Sequence, residues 1–176
     1  TADYGKQQVN EFVYDASGKY LLVTLGQGKL GIMNMPDLTH SRTLQAHSPQ
    51  SSCISLCLSN DGKRLAIGAS DALCSIWDTG DLICERVISR LDYIVRSVSF
   101  SHDGNLLAAG SEDRTVDISY VEDGSRIHAV AADAGTHCVA WHPRALLLAF
   151  ALQASEGGGS SRDRESKLKV FGFSST

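Results

Sequence analysis

Prolines are scarce, three in 176 residues, and no apolar run exceeds the eight residues from Ala145 to Leu152. A membrane-crossing helix needs roughly twenty such residues, so no helical span is expected. The polar opening Thr1-Ala2-Asp3-Tyr4-Gly5-Lys6 offers no secretory core. No excess of positive charge exists either: sixteen basic against twenty acidic side chains leave a net charge of −4. Without an overall positive field, direct phosphate or nucleic-acid binding is disfavoured.

The five cysteines, Cys53, Cys57, Cys74, Cys84 and Cys138, form no Cys-x-x-Cys pair and none has a histidine at zinc-finger spacing. They read as reduced core thiols of a cytosolic or nuclear protein. Also lacking are a Gly-x-Ser-x-Gly elbow, a His-Glu-x-x-His helix and a phosphate-cradling glycine loop. The Ser, His and Asp residues that could suggest catalysis sit instead at recurring positions, so no catalytic, cofactor or metal residue is expected.

What is present is a repeat. Asp15-Ala16-Ser17-Gly18-Lys19-Tyr20-Leu21-Leu22 returns as Asn60-Asp61-Gly62-Lys63-Arg64-Leu65-Ala66 and as His102-Asp103-Gly104-Asn105-Leu106-Leu107-Ala108. It returns again, altered, as His142-Pro143-Arg144-Ala145-Leu146-Leu147-Leu148-Ala149. Counted on Gly18, Gly62, Gly104 and Arg144 the spacings are 44, 42 and 40, the period of a WD repeat, about 40–45 residues. Within each period the pattern is strand and turn, with no helical spacing of any length. Strands are predicted near 8–14, 20–25, 29–33 and 41–45; 53–58, 64–68, 73–77 and 84–88; 95–100, 106–110, 115–120 and 127–131; and 137–141, 146–152 and 167–173.

Four antiparallel strands make one propeller blade. The expected architecture is all-β: a WD-type β-propeller segment of about four four-stranded blades, spanning 8–45, 53–88, 95–131 and 137–173, within a single unit 1–176. The last repeat lacks an outermost strand and residues 1–7 offer no spare one, so an open arc, part of a seven-bladed ring, is expected. Residues 153–166, with three consecutive glycines among serines and mixed charges, read as a flexible hairpin extension. Its basic residues, with Lys167 and Lys169, alternate with Asp163 and Glu165 and read as solvated.

Trp77-Asp78 is the WD dipeptide, and His47, Asp71 and Trp77 stand where such a repeat links its loop, its turn and its third strand by hydrogen bonds. A serine normally completes that relay; Ala69 at the expected place predicts an incomplete one. In the third repeat Ser111 and Asp113 recur while Ser119 replaces the tryptophan, and the first repeat has Gln27 and Met33 there. The loop Ser89-Arg90-Leu91-Asp92-Tyr93-Ile94-Val95-Arg96 carries Arg90, Asp92, Tyr93 and Arg96 where a histidine is usual. These four suit a partner surface, or else a salt bridge from Arg90 or Arg96 to Asp92 that pins the loop.

Several segments resemble the WD-repeat subunit family of the THO complex: Ser70-Asp71-Ala72-Leu73-Cys74-Ser75-Ile76-Trp77-Asp78, Ser89-Arg90-Leu91-Asp92 with Val95-Arg96, Ser99-Phe100-Ser101-His102-Asp103-Gly104, and Ser111-Glu112-Asp113. So do Val139-Ala140-Trp141-His142-Pro143 with Leu147-Leu148-Ala149-Phe150-Ala151, and Lys169-Val170-Phe171-Gly172-Phe173. The resemblance implies the C-terminal part of a seven-bladed, non-enzymatic scaffold in the nuclear transcription-export (TREX) assembly, which couples transcription to mRNA processing and export. The implied partners are other THO subunits, chiefly the large helical scaffold subunit, with RNA reached only through the complex, no membrane and no cofactor. The rival expectations are an adaptor of another assembly, such as a ubiquitin ligase or a chromatin reader, a propeller hydrolase and a direct RNA binder.

Overall fold

The computed structural model describes residues 3–152 and 167–173. The expected hairpin extension, 153–166, lies outside the described residues. The first sheet holds β1 (Val9–Tyr14), β2 (Tyr20–Leu25), β3 (Lys29–Asn34) and β4 (Thr39–Gln45), hydrogen-bonded in that order. The second holds β5 (Cys53–Leu58), β6 (Arg64–Ala69), β7 (Cys74–Asp78) and β8 (Cys84–Ile88). The third holds β9 (Val95–Phe100), β10 (Leu106–Ser111), β11 (Thr115–Tyr120) and β12 (Arg126–Ala131), and the fourth β13 (Thr136–Trp141), β14 (Leu147–Leu152) and β15 (Lys167–Gly172).

Each sheet opens with the same hairpin, and the turn residues explain why. Gly18, Gly62 and Gly104 hold φ of 69°, 71° and 73°, where a side chain is disfavoured. Beside them a short polar side chain takes the free backbone donors. Asp15 accepts from the Ser17 and Tyr20 amides, and the Ser59 and Ser101 hydroxyls accept from the Arg64 and Leu106 amides.

Burial falls from the middle of each sheet to its outer edge. All six residues of β10 are buried, whereas β4 is exposed at every residue but Leu44. A separate apolar core lies between each adjacent pair of sheets. Leu22, Ile32, Leu65 and Trp77 fill the first, Ile76, Val98, Phe100 and Val121 the second, and Ile118, Val139, Trp141 and Phe150 the third. Gly68 and Gly110 let the sheets approach: a Cβ at either would come within 2.7 Å of Val95 or Val139 on the next sheet.

The sheets pack in sequence, β1 against β5, β5 against β9 and β9 against β13. No corresponding packing joins β13 to β1 among the described residues, so the four sheets form an open arc.

Candidate functional site

One position recurs in every sheet and takes a different chemistry each time. It lies on the third strand, two residues before the one paired with a leucine of the second strand: Leu21 with Met33, Leu65 with Trp77, Leu107 with Ser119, and Leu148 with Phe171. Residues two apart on a strand share a face. The side chain two residues earlier therefore lies beside the paired one, toward the loop that enters the sheet.

In the second sheet that residue is Ser75, and it completes the relay. His47 is buried, with Nδ1 3.1 and 3.2 Å from the two Asp71 carboxylate oxygens and Nε2 2.8 Å from Ser75 Oγ. The Trp77 indole N–H donates to the same Oγ at 2.8 Å. With Nδ1–H given to Asp71, Nε2 accepts from the serine hydroxyl and the serine oxygen accepts from the indole. Every polar atom of the relay then has a partner. The expectation of an incomplete network is therefore corrected. Ala69 is fully buried on β6 with its amide bonded to Leu73, on a different strand from Trp77.

In the third sheet Asp117 takes the place of Ser75 and Ser119 that of Trp77. Asp117 is 1% exposed and accepts from Arg90 Nη2 at 3.0 Å, Arg126 Nε at 2.6 Å and the Ser119 hydroxyl. Burial alone would raise this carboxyl. Hydrogen bonds from Arg90, Ser119 and Arg126 outweigh it and hold the group below the usual aspartate value. Arg90 replaces the loop histidine because a buried carboxylate needs a cation where a buried hydroxyl does not.

That placement decides the loop. Arg90 pairs with Asp117, and Arg96 pairs with Glu112. Neither reaches Asp92, so the expected intraloop salt bridge is absent among the described residues. The loop is pinned by Asp113 instead, which accepts from the Asp92 amide at 2.9 Å and the Ser111 hydroxyl at 3.3 Å. The single Ser111 hydroxyl proton is shared with the Tyr93 carbonyl, which lies nearer at 3.0 Å. Leu91 is buried in the core, and Tyr93 is 60% exposed. Of the four residues read as a partner surface, the two arginines are held by carboxylates of the third sheet and its turn, while Asp92 and Tyr93 face solvent.

The outer sheets vary the theme. In the first, Gly31 stands at the Ser75 position, and a Cβ there would come within 3.2 Å of the Tyr4 hydroxyl. The ring of Tyr4 packs with Val23, Leu25 and Met33. In the fourth, Lys169 donates to Asp133 at 2.6 Å, and Phe171 stacks on His128 with centroids 4.9 Å apart.

Most of these groups are turned inward and engaged with one another. Burial pushes the Cys53 and Cys74 thiols up to about 12, far from the thiolate a nucleophile or metal ligand needs. Among the described residues no three His, Cys, Asp or Glu side chains gather as metal ligands would.

Comparison with known proteins fits this geometry. The family described as WD domain, G-beta repeat matches residues 38–78, the stretch that carries the complete relay. The β-propeller domain of Myceliophteria_thermophila Cps50 (Swd1) superimposes with a TM-score of 0.76 at 20% identity, over 96% of this chain and 52% of that one. The fold is a WD-repeat β-propeller. A second family, the anaphase-promoting complex subunit 4 WD40 domain, matches residues 84–144. THO complex subunit 3 of Arabidopsis thaliana is 31% identical over 96% of this WD-repeat chain and 52% of its own length. The WD repeat-containing protein AAC3 of Dictyostelium discoideum is 29% identical over 98% of the chain and 35% of its own. The chain thus spans about half the length of the first relative and about a third of the second. The resemblance read from the Ser89-Arg90-Leu91-Asp92 loop and the Trp141-His142-Pro143 turn extends along nearly the whole chain.

Proposed function

We propose that this propeller segment is part of a non-catalytic protein-interaction scaffold of the THO type. It acts in the nucleus, within the transcription-export assembly that couples transcription to mRNA processing and export. The observation that carries the reading is the chain-long likeness to THO complex subunit 3, 31% over 96% of the chain. The inward use of the relay residues supports it, because groups engaged with one another serve the shape of a surface. The partner is the large helical scaffold subunit, and RNA is met through the complex, in keeping with a net charge of −4. On the loop between β8 and β9, Tyr93 and Asp92 are the contact groups, held in place by Asp113 and Ser111, while Arg90 and Arg96 are engaged with Asp117 and Glu112.

Affinity purification of the tagged chain from nuclear extract tests this. Recovery of the helical THO subunit in comparable amount is expected, and recovery of a different assembly without it would overturn the reading. A second reading, an adaptor of another complex, is favoured by the match of residues 84–144 to the anaphase-promoting complex subunit 4 domain. Subunits of that complex in the same eluate would support it.

A further inference from the structure

Comparing the junctions between sheets singles out the first, whose cleft of about 580 Å³ exceeds the one of about 340 Å³ beside Val121 and Glu122 at the second. On the outermost strand of each four-stranded sheet one register position faces the next sheet: Arg42 opposite Ile32, Arg86 opposite Ile76, and His128 opposite Ile118. At the second junction Arg86 crosses to donate to the Glu122 carbonyl at 3.0 Å. At the third, His128 crosses to stack on Phe171. At the first, Arg42 is exposed and makes no hydrogen bond or ion pair among the described residues.

The wedge residue differs as well. The Val121 amide bonds the Asn105 carbonyl and its side chain is buried in the core between the second and third sheets. Thr79 makes the equivalent bond to Lys63 at the first junction, but its hydroxyl is drawn aside to the Gly62 carbonyl at 2.7 Å. A cleft of about 580 Å³ is left between the first two sheets, with Arg42, Tyr20, Leu22, Ile32 and Leu82 in its walls. Its shape is fixed where the turns meet, since a Cβ on Gly62 would fall 2.3 Å from that of Ala16. The one carboxylate in the wall, Asp15, has both oxygens taken by donors of its own turn. Asp15 keeps its charge but makes no ion pair with Arg42, which stands beside the apolar part of the wall.

We propose that this cleft is a docking groove for a peptide segment of a partner protein that presents a carboxylate to Arg42 with an aliphatic side chain next to it. The carboxylate gives Arg42 the acceptor that the Glu122 backbone carbonyl gives Arg86, and the aliphatic group takes the place that Val121 holds at the next junction. The proposal rests on the reading of the chain as an interaction scaffold and not on which assembly it serves.

The test is fluorescence anisotropy of the full chain against a labelled octapeptide alternating leucine with glutamate, and against its counterpart with lysine for glutamate. Saturable binding of the glutamate peptide is expected. It should weaken about tenfold in Arg42→Gln, as for loss of a charged hydrogen bond, and stay unchanged in Arg86→Gln. Because Arg42 is exposed, its replacement leaves folding intact, which the melting curve checks. Equal binding of the lysine peptide, no loss in Arg42→Gln, or no saturation would each overturn the proposal. If the glutamate peptide binds as expected while THO subunits fail to co-purify, the choice of assembly is wrong and the groove stands. If THO subunits co-purify but the peptide does not bind, the groove is wrong and the scaffold reading stands.

Discussion

At the residue scale, the stability of the second sheet turns on which hydroxyl closes the relay. Ser75 accepts from Trp77 and bonds His47, so Ser75→Ala strands two buried polar atoms and is expected to cost about 1–3 kcal/mol in thermal or denaturant unfolding. Ala69→Ser, which an incomplete relay would have welcomed, places a hydroxyl at a fully buried site and is expected to destabilise by about 1–3 kcal/mol. A stabilising Ala69→Ser would contradict the assignment. His47, Asp71 and Trp77 were legible because their spacing is part of the repeat. Ser75 was missed because the serine was sought beside the aspartate, whereas strand alternation places it two residues before the tryptophan. The same count, four residues past Asp113, reaches Asp117, so the partner of Arg90 could also have been found.

Asp117 carries a pH signature. Its carboxyl is held below the ordinary value when folded, so its stabilisation is full above the unfolded pKa of about 4 and is lost as pH falls through the lowered folded value. Asp117→Asn leaves two arginines facing a neutral amide and is expected to cost about 3–5 kcal/mol near neutral pH, with the deficit narrowing in acid. An equal deficit at both ends of a pH series of unfolding curves would show that the pair does not titrate as described.

At the element scale, the first strands of neighbouring sheets face one another without a ladder, so their amides need acceptors from side chains. Glu11 accepts from the Leu56 amide at 2.7 Å, and Ser97 and Ser99 accept from the Val139 and Trp141 amides at 3.1 Å each. Replacing Ser97 and Ser99 together by alanine is expected to speed hydrogen exchange at Val139 and Trp141 by opening the third junction locally, each lost bond costing about 1 kcal/mol. Unchanged protection at both amides would show that the hydroxyls are dispensable. Alternation and turn glycines made the strands readable, but these cross-sheet bonds join positions about 42 residues apart, and only the packed arc brings them together.

At the scale of the whole molecule, the repeat period was enough to foresee sheets in sequence, because each sheet buries its faces only against its neighbours, and the expectation of an open arc came from the last repeat's missing strand and the polar residues 1–7. What the period could not foresee is that Arg90 and Arg96 are tied to Asp117 and Glu112 while Tyr93 stays exposed. Under the proposed function, that difference would separate folding from binding within one loop. The most direct measurement is titration calorimetry of the full chain against the purified large helical THO subunit, with Arg90→Ala and Tyr93→Ala melted in parallel. Saturable binding is expected, weakened by about 2 kcal/mol or more in Tyr93→Ala with its melting unchanged, while Arg90→Ala lowers the melting temperature. No binding by the unaltered chain, or full affinity in Tyr93→Ala, would contradict the account.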